Sequence, residues 1–121
     1  MRNFRKLEIW GDGISLAKKI YEIARKLPDY ERFGLSSQMM RAATSIPANL
    51  AEGASRKSEA DFGRFIEIAL GSAFELETLM TIAKEVGHFG PGEAHELLKE
   101  IEVLEKKANS LLSKLRNNRE K

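Results

Sequence analysis

Glu85 and His88 stand three residues apart, a spacing that puts a carboxylate and an imidazole on one helix face, where both can reach one metal ion. Carboxylate-bridged di-iron bundles need two such pairs and one further glutamate from each of two other helices. The only other histidine, His95, has Gly92 three residues before it, and His88 directly follows the turn-forming Gly87. A metal centre is therefore not expected. With no cysteine there is no thiolate ligand or thiol nucleophile, and no disulfide to suggest an oxidising compartment. The chain also lacks a Gly-x-Ser-x-Gly elbow, a phosphate-binding glycine loop and a dinucleotide fingerprint. The expectation is a protein without catalytic residues or cofactor, in the cytoplasm.

Two other sets of side chains remain as candidates. One is a polar stripe, Gln38, Arg41, Ser45, Asn49, Glu52 and Arg56, at the three- and four-residue intervals that share a helix face. Pro47 lies within it and frees the carbonyl four residues back, that of Ala43, so Ser45 and Asn49 can serve the opened backbone. A solvated flank accounts for the remainder. The other set is basic. Residues 1–6 carry +3 from Arg2, Arg5 and Lys6, and residues 106–121 carry +5 from six cations, Lys114, Arg116 and Arg119 among them, against Glu120.

The elements that must position these residues are helical. At 121 residues with 42% apolar content, the chain is long enough for one core and short for two domains, so residues 1–121 read as a single domain. Glycine and proline cluster in three places and separate four helical patterns, at about 8–27, 34–56, 59–87 and 91–117, with no competing strand-like alternation. The first places Trp10, Ile14, Ala17, Ile20, Tyr21, Ala24 and Leu27 on one face, with Gly11 and Gly13 weakening its start. The second places Met39, Ala43, Ile46, Leu50 and Gly53 together, kinked at Pro47.

Ser58 and Asp61 open the third helix as a capping pair, and Gly90 with Pro91 open the fourth, whose apolar positions include Leu97, Ile101, Leu104, Ala108, Leu111 and Leu115. The third carries two adjacent apolar stripes. Phe62, Ile66, Ala69, Ala73, Leu76, Met80 and Ala83 form one, and Phe65, Ile68, Leu79, Ile82 and Val86 the other. Two stripes exceed what one bundle core uses, which points to a neighbouring subunit on the second; a wide core-facing surface is the alternative.

Short connections give an all-α, antiparallel up-down-up-down four-helix bundle, and the double stripe of the third helix has it work as a homo-oligomer. No run reaches the roughly 18 apolar residues of a spanning helix, so no membrane partner is expected. In such a bundle both termini share a pole with the turn that bears Arg56 and Lys57. Residues 52–64 sum to zero, so the pole holds +8 against −6 elsewhere, a polarity hidden in a total of +2. An anionic partner, RNA or DNA, fits that pole, with Arg2, Arg5, Lys6, Arg56, Lys57, Lys114, Arg116 and Arg119 as contacts and Phe4 or Trp10 available to stack on bases. Dipole complementation accounts for Lys114 and Arg116 but not for the N-terminal cluster. With the second turn centred near Lys57, Arg41 falls level with Ser72 and Glu75, and a partly buried Arg41–Glu75 ion pair is expected to fix the register.

Residues 33–56, FGLSSQMMRAATSIPANLAEGASR, and residues 71–87, GSAFELETLMTIAKEVG, resemble the 23S rRNA intervening-sequence protein family. LEIW at 7–10 echoes its opening motif and SIPANLAEG at 45–53 is a specific match, while the fourth helix matches in pattern only. The resemblance implies a four-helix bundle assembling as a homopentamer, with no established biochemical activity for most members. The accessory variability determinant of diversity-generating retroelements is similar to this family, and implies a basic pentameric barrel that binds nucleic acid and a reverse transcriptase. The competing reading is a scaffold in which the oligomer presents helix surfaces to a protein partner, such as a reverse transcriptase, with the basic pole incidental and no intrinsic nucleic-acid role. Met40, where an arginine is common, and Gly11 and Gly13, where helix-favouring residues are usual, depart from the pattern.

Overall fold

Each helix begins and ends where local chemistry dictates. A computed structural model describes residues 2–120, and the side chains of all of these except 119 and 120. Among them are four α-helices and no strand: α1 (Glu8–Ala24), α2 (Leu35–Ala54), α3 (Glu59–Glu85) and α4 (Pro91–Glu120). They form a four-helix bundle in which α2 packs on α1 and α3, and α4 on α1 and α3.

α1 stops at Ala24 rather than continuing to residue 27. Its last amides switch to shorter bonds, Lys26 N–H to the Ile23 carbonyl and Leu27 N–H to that of Ala24, because Pro28 disfavours helical backbone in the residue before it. Ser58 caps α3 as its sequence suggests, its Oγ accepting the Asp61 N–H at 3.1 Å. Asp61 does not complete a reciprocal box, and its carboxylate pairs instead with Arg64 at 3.7 Å. At the other end of α3, Gly87 takes φ +87°. The His88 N–H then reaches the Ala83 carbonyl and the Gly87 N–H that of Lys84, the paired bonds of a Schellman stop. α4 runs past residue 117 to Glu120.

The core is built from Met39, Ile46 and Leu50 of α2, Ile66, Leu76 and Met80 of α3, Leu16 and Ile20 of α1 and Ile101 of α4, all fully buried. The faces expected for α2 and for the first stripe of α3 are buried throughout.

The α1 face is corrected by the structure. Of the expected face Ile20, Ala24 and Leu27 are buried, joined by Ile9, Gly13, Leu16 and Ile23, while Ile14 and Tyr21 are exposed and Trp10 and Ala17 lie at the margin. Gly13, without a side chain, lets Pro47 approach so closely that a Cβ there would stand 3.3 Å from its ring, which accommodates this side of α1 against α2. The second stripe of α3 divides: Phe65 and Leu79 are buried, and Ile68, Ile82 and Val86 are exposed.

Candidate functional site

The polar stripe of α2 faces α3 through small groups. The Ser45 and Ser72 hydroxyls meet at 2.9 Å, and Asn49 Nδ2 donates to the Ser45 carbonyl at 2.8 Å and to its hydroxyl at 2.9 Å. Asn49 thus serves the carbonyl of Ser45, not that of Ala43 opposite Pro47. Arg41 and Glu75 line one shallow recess with Gln38 and Ser45, yet both are exposed, and no ion pair within 4.0 Å joins them. The expected buried pair is replaced by the Ser45–Ser72 bond. In water two long charged side chains gain little from a fixed geometry, whereas the short, half-buried hydroxyls at the helix interface lose little side-chain freedom in meeting. Glu52 turns along its own helix to Arg56 at 3.1 Å.

Around the α2–α3 turn, three basic residues converge. The chain enters α1 through a single 3₁₀ turn over Phe4–Lys6, with Asn3 Oδ1 accepting the Arg5 N–H. This entry lays Arg2 across the turn, where Nη1 donates to the Arg56 carbonyl at 2.9 Å and the guanidinium sits 4.5 Å from the Phe62 ring centroid. Arg56 in turn lies 4.8 Å over Phe65, whose ring also carries Arg64 at 4.6 Å. Its Nη2 binds Glu52, and its Nε is shielded from solvent without a partner. Between these groups is an open cavity of about 660 Å³ lined by Arg2, Ser55, Arg56 and Lys57, with no carboxylate in its wall. Two guanidinium groups held against aromatic faces and a lysine without an ion-pair partner among the described residues thus line this cavity.

The other basic residues lie elsewhere. Arg5 stacks on Phe4 at 4.5 Å and Lys6 is exposed. Lys114 lines a groove between the start of α1 and α4, and Arg116 pairs with Glu67 of α3 beside a separate recess. The side chain of Arg119 lies outside the described residues. Phe4 and Trp10 meet edge to face at 5.2 Å and pack on the core, so they are committed to the fold rather than free to stack on bases. The place of Arg64 directly before Phe65 in the sequence is a readable signal for a stacked cation.

His88 does not turn toward Glu85. Its Nε2 lies 2.8 Å from Glu31 Oε2, both side chains largely buried, and Tyr30 stands 5.9 Å away. The pair ties the α1–α2 connection to the α3–α4 connection at the end of the bundle opposite Arg2. No group of three His, Cys, Asp or Glu side chains among the described residues is placed to hold a metal ion, and no helix among them is long and apolar enough to cross a membrane.

A strand-free bundle with a cation-lined turn is the class of protein that this fold and site define. The chain belongs to the 23S rRNA-intervening sequence protein family, whose model matches residues 5–110. Its fold is similar to the crystal structure of a protein of unknown function from the S23 ribosomal protein family of Bacteroides thetaiotaomicron VPI-5482. That likeness has a TM-score of 0.81 at 24% identity and covers 86% of this chain and 97% of that one. No curated protein matches the sequence.

Proposed function

We propose that the chain is a non-enzymatic accessory protein of an RNA-related system, working as a homo-oligomer that grips nucleic-acid phosphate through the α2–α3 turn. The observation that carries this reading is the carboxylate-free cavity between Arg2, Ser55, Arg56 and Lys57, with both arginines held in place by ring faces. Lysine and arginine neutralise phosphate without reading sequence, so binding of this kind is salt-dependent and weakly specific.

In this reading the helices alternate in direction. As α1 residues descend from Ala24 to Gly13, their α2 partners ascend from Ser36 to Pro47, and Glu8, Lys19 and Lys26 take α4 partners in descending order, Lys107, Glu100 and Glu93. Alternation sets the N-terminal residues beside the α2–α3 turn. Five copies, the number implied by the family resemblance, would present five such clusters, and multivalency raises affinity without any new contact.

The test is binding of the purified protein to labelled structured RNA and duplex DNA across a salt series, with Arg2→Ala, Lys57→Ala and the conservative Arg2→Lys alongside. Micromolar or tighter binding is expected, with a log K that falls linearly with log salt, a lower affinity and shallower slope in Arg2→Ala and Lys57→Ala, and partial recovery in Arg2→Lys. Failure of the wild type to bind at low salt overturns the reading. A second reading, a scaffold for a protein partner such as a reverse transcriptase, is favoured by the exposed Ile68, Phe74, Ile82 and Val86 of α3.

A further inference from the structure

A base that stands outside a duplex is held by stacking on a ring face, and the aromatic side chains around the α2–α3 turn are already covered. Phe62 and Phe65, at the start of α3, are 2% and 7% exposed. Arg2 lies 4.5 Å from the Phe62 centroid, and Arg56 and Arg64 lie 4.8 and 4.6 Å from that of Phe65. Phe4, in the 3₁₀ turn that follows Arg2, carries Arg5 at 4.5 Å and meets Trp10 edge to face. The open rings of Tyr30 and Phe33, 77% and 88% exposed, belong to the α1–α2 connection at the other end of the bundle.

Base edges find little to pair with at this turn. Its cavity is lined by no amide or carboxylate side chain, and its one neutral polar group, the Ser55 hydroxyl, donates to the Glu52 carbonyl at 2.6 Å. Arg2 is tied to the Arg56 carbonyl and Arg56 to Glu52, so neither guanidinium is free to follow a base edge. What remains is charge, and charge alone distinguishes nucleic acids by phosphate density and by order. A duplex carries one phosphate charge for about each 1.7 Å of its axis, on a backbone that is ordered before it binds. A single strand loses its freedom on the protein, and proteins that hold one offset that cost with about 1–3 kcal/mol for each base stacked on a ring. Covered rings supply no such offset. We infer, on the basis of the phosphate-binding reading above, that the α2–α3 turn takes the sugar–phosphate backbone of double-stranded nucleic acid in preference to single strands and does not read base sequence.

The probe is a fluorescein-labelled strand of about 20 nucleotides without self-complementarity, offered to the full chain alone and annealed to its complement, as RNA and as DNA. Each duplex is expected to bind about tenfold more tightly than its single strand at low salt, and to keep its affinity when the base sequence is permuted. Arg2→Ala and Lys57→Ala each weaken duplex binding. Lys57 is exposed, so its variant does not endanger the fold, and thermal melts of both check this. A single strand bound as tightly as its duplex, or more tightly, overturns the inference, and so does a duplex affinity that follows base sequence. If that single-strand binding still falls in Arg2→Ala and Lys57→Ala, the turn stands as a phosphate site and only the preference for duplex fails. If it falls instead in Tyr30→Ala with Phe33→Ala and not in the turn variants, the opposite end holds the nucleic acid and both readings fail. No binding of any form at low salt removes the phosphate-binding reading and this inference with it.

Discussion

Glu105 is the side chain whose chemistry departs furthest from its surroundings. It sits on α4 at 7% exposure, with Oε2 unpartnered, facing Glu77 of α3 and near Glu102 of its own helix. Burial first, then the neighbouring Glu77 and Glu102, pushes its pKa up from 4.5 to about 7. A carboxyl with a raised folded pKa holds a proton that the unfolded chain releases at lower pH. Its contribution is therefore full below about 4.5, declines as pH rises through 7, and is flat above. Glu105→Gln, which keeps the shape of the protonated acid, is expected to raise stability by about 1–3 kcal/mol at pH 8 and by almost nothing near pH 4.5. Urea denaturation of both proteins at the two pH values checks this, and an equal gain at both would remove ionisation as the cause.

At the scale of elements, two glycines give opposite expectations. A Cβ at Gly53 would stand 2.5 Å from Phe65 Cβ and 3.2 Å from the Phe62 ring, so Gly53→Ala must drive α2 away from α3. It is expected to destabilise by about 2–3 kcal/mol despite alanine's better helix propensity. A Cβ at Gly71, also mid-helix, meets nothing within 4 Å, and Gly71→Ala is expected to stabilise by about 0.5–1 kcal/mol. Chemical denaturation of the pair reads both signs. This contrast also explains what was legible beforehand. The four-and-three spacing in α2 and the first stripe of α3 identifies faces that are buried throughout, whereas the second stripe of α3 divides between core and solvent. In α1 the expected face is only partly right, and the close approach of Gly13 to Pro47, residues 34 positions apart, is a contact that periodicity does not encode. The basic residues were legible as types and as a cluster near the termini. That Arg2 reaches Arg56, 54 positions away, while Arg116 is held by Glu67, required the packing.

For the molecule as a whole, the outer face of α3 carries the clearest consequence. Ile68, Phe74, Ile82 and Val86 are 41–59% exposed on one helix, beside Glu67, Glu75 and Glu85. Apolar side chains exposed to this degree are candidates for cover by a second subunit, which removes apolar area worth about 25 cal/mol for each Å². If that face joins subunits, then Ile68→Glu with Ile82→Glu sets two charges where apolar contact is required. Sedimentation equilibrium is expected to find the wild type as an oligomer and the double variant as a monomer, with helical content by circular dichroism unchanged because neither residue serves the bundle core. The two functional readings then separate. If phosphate binding depends on several turns acting together, the monomer loses about 10²-fold in RNA affinity while each intact turn keeps its own weak, salt-sensitive binding. If the chain is instead a scaffold for another protein and its basic turn is incidental, neither protein binds RNA at low salt, and the loss in the double variant appears only in binding of that partner.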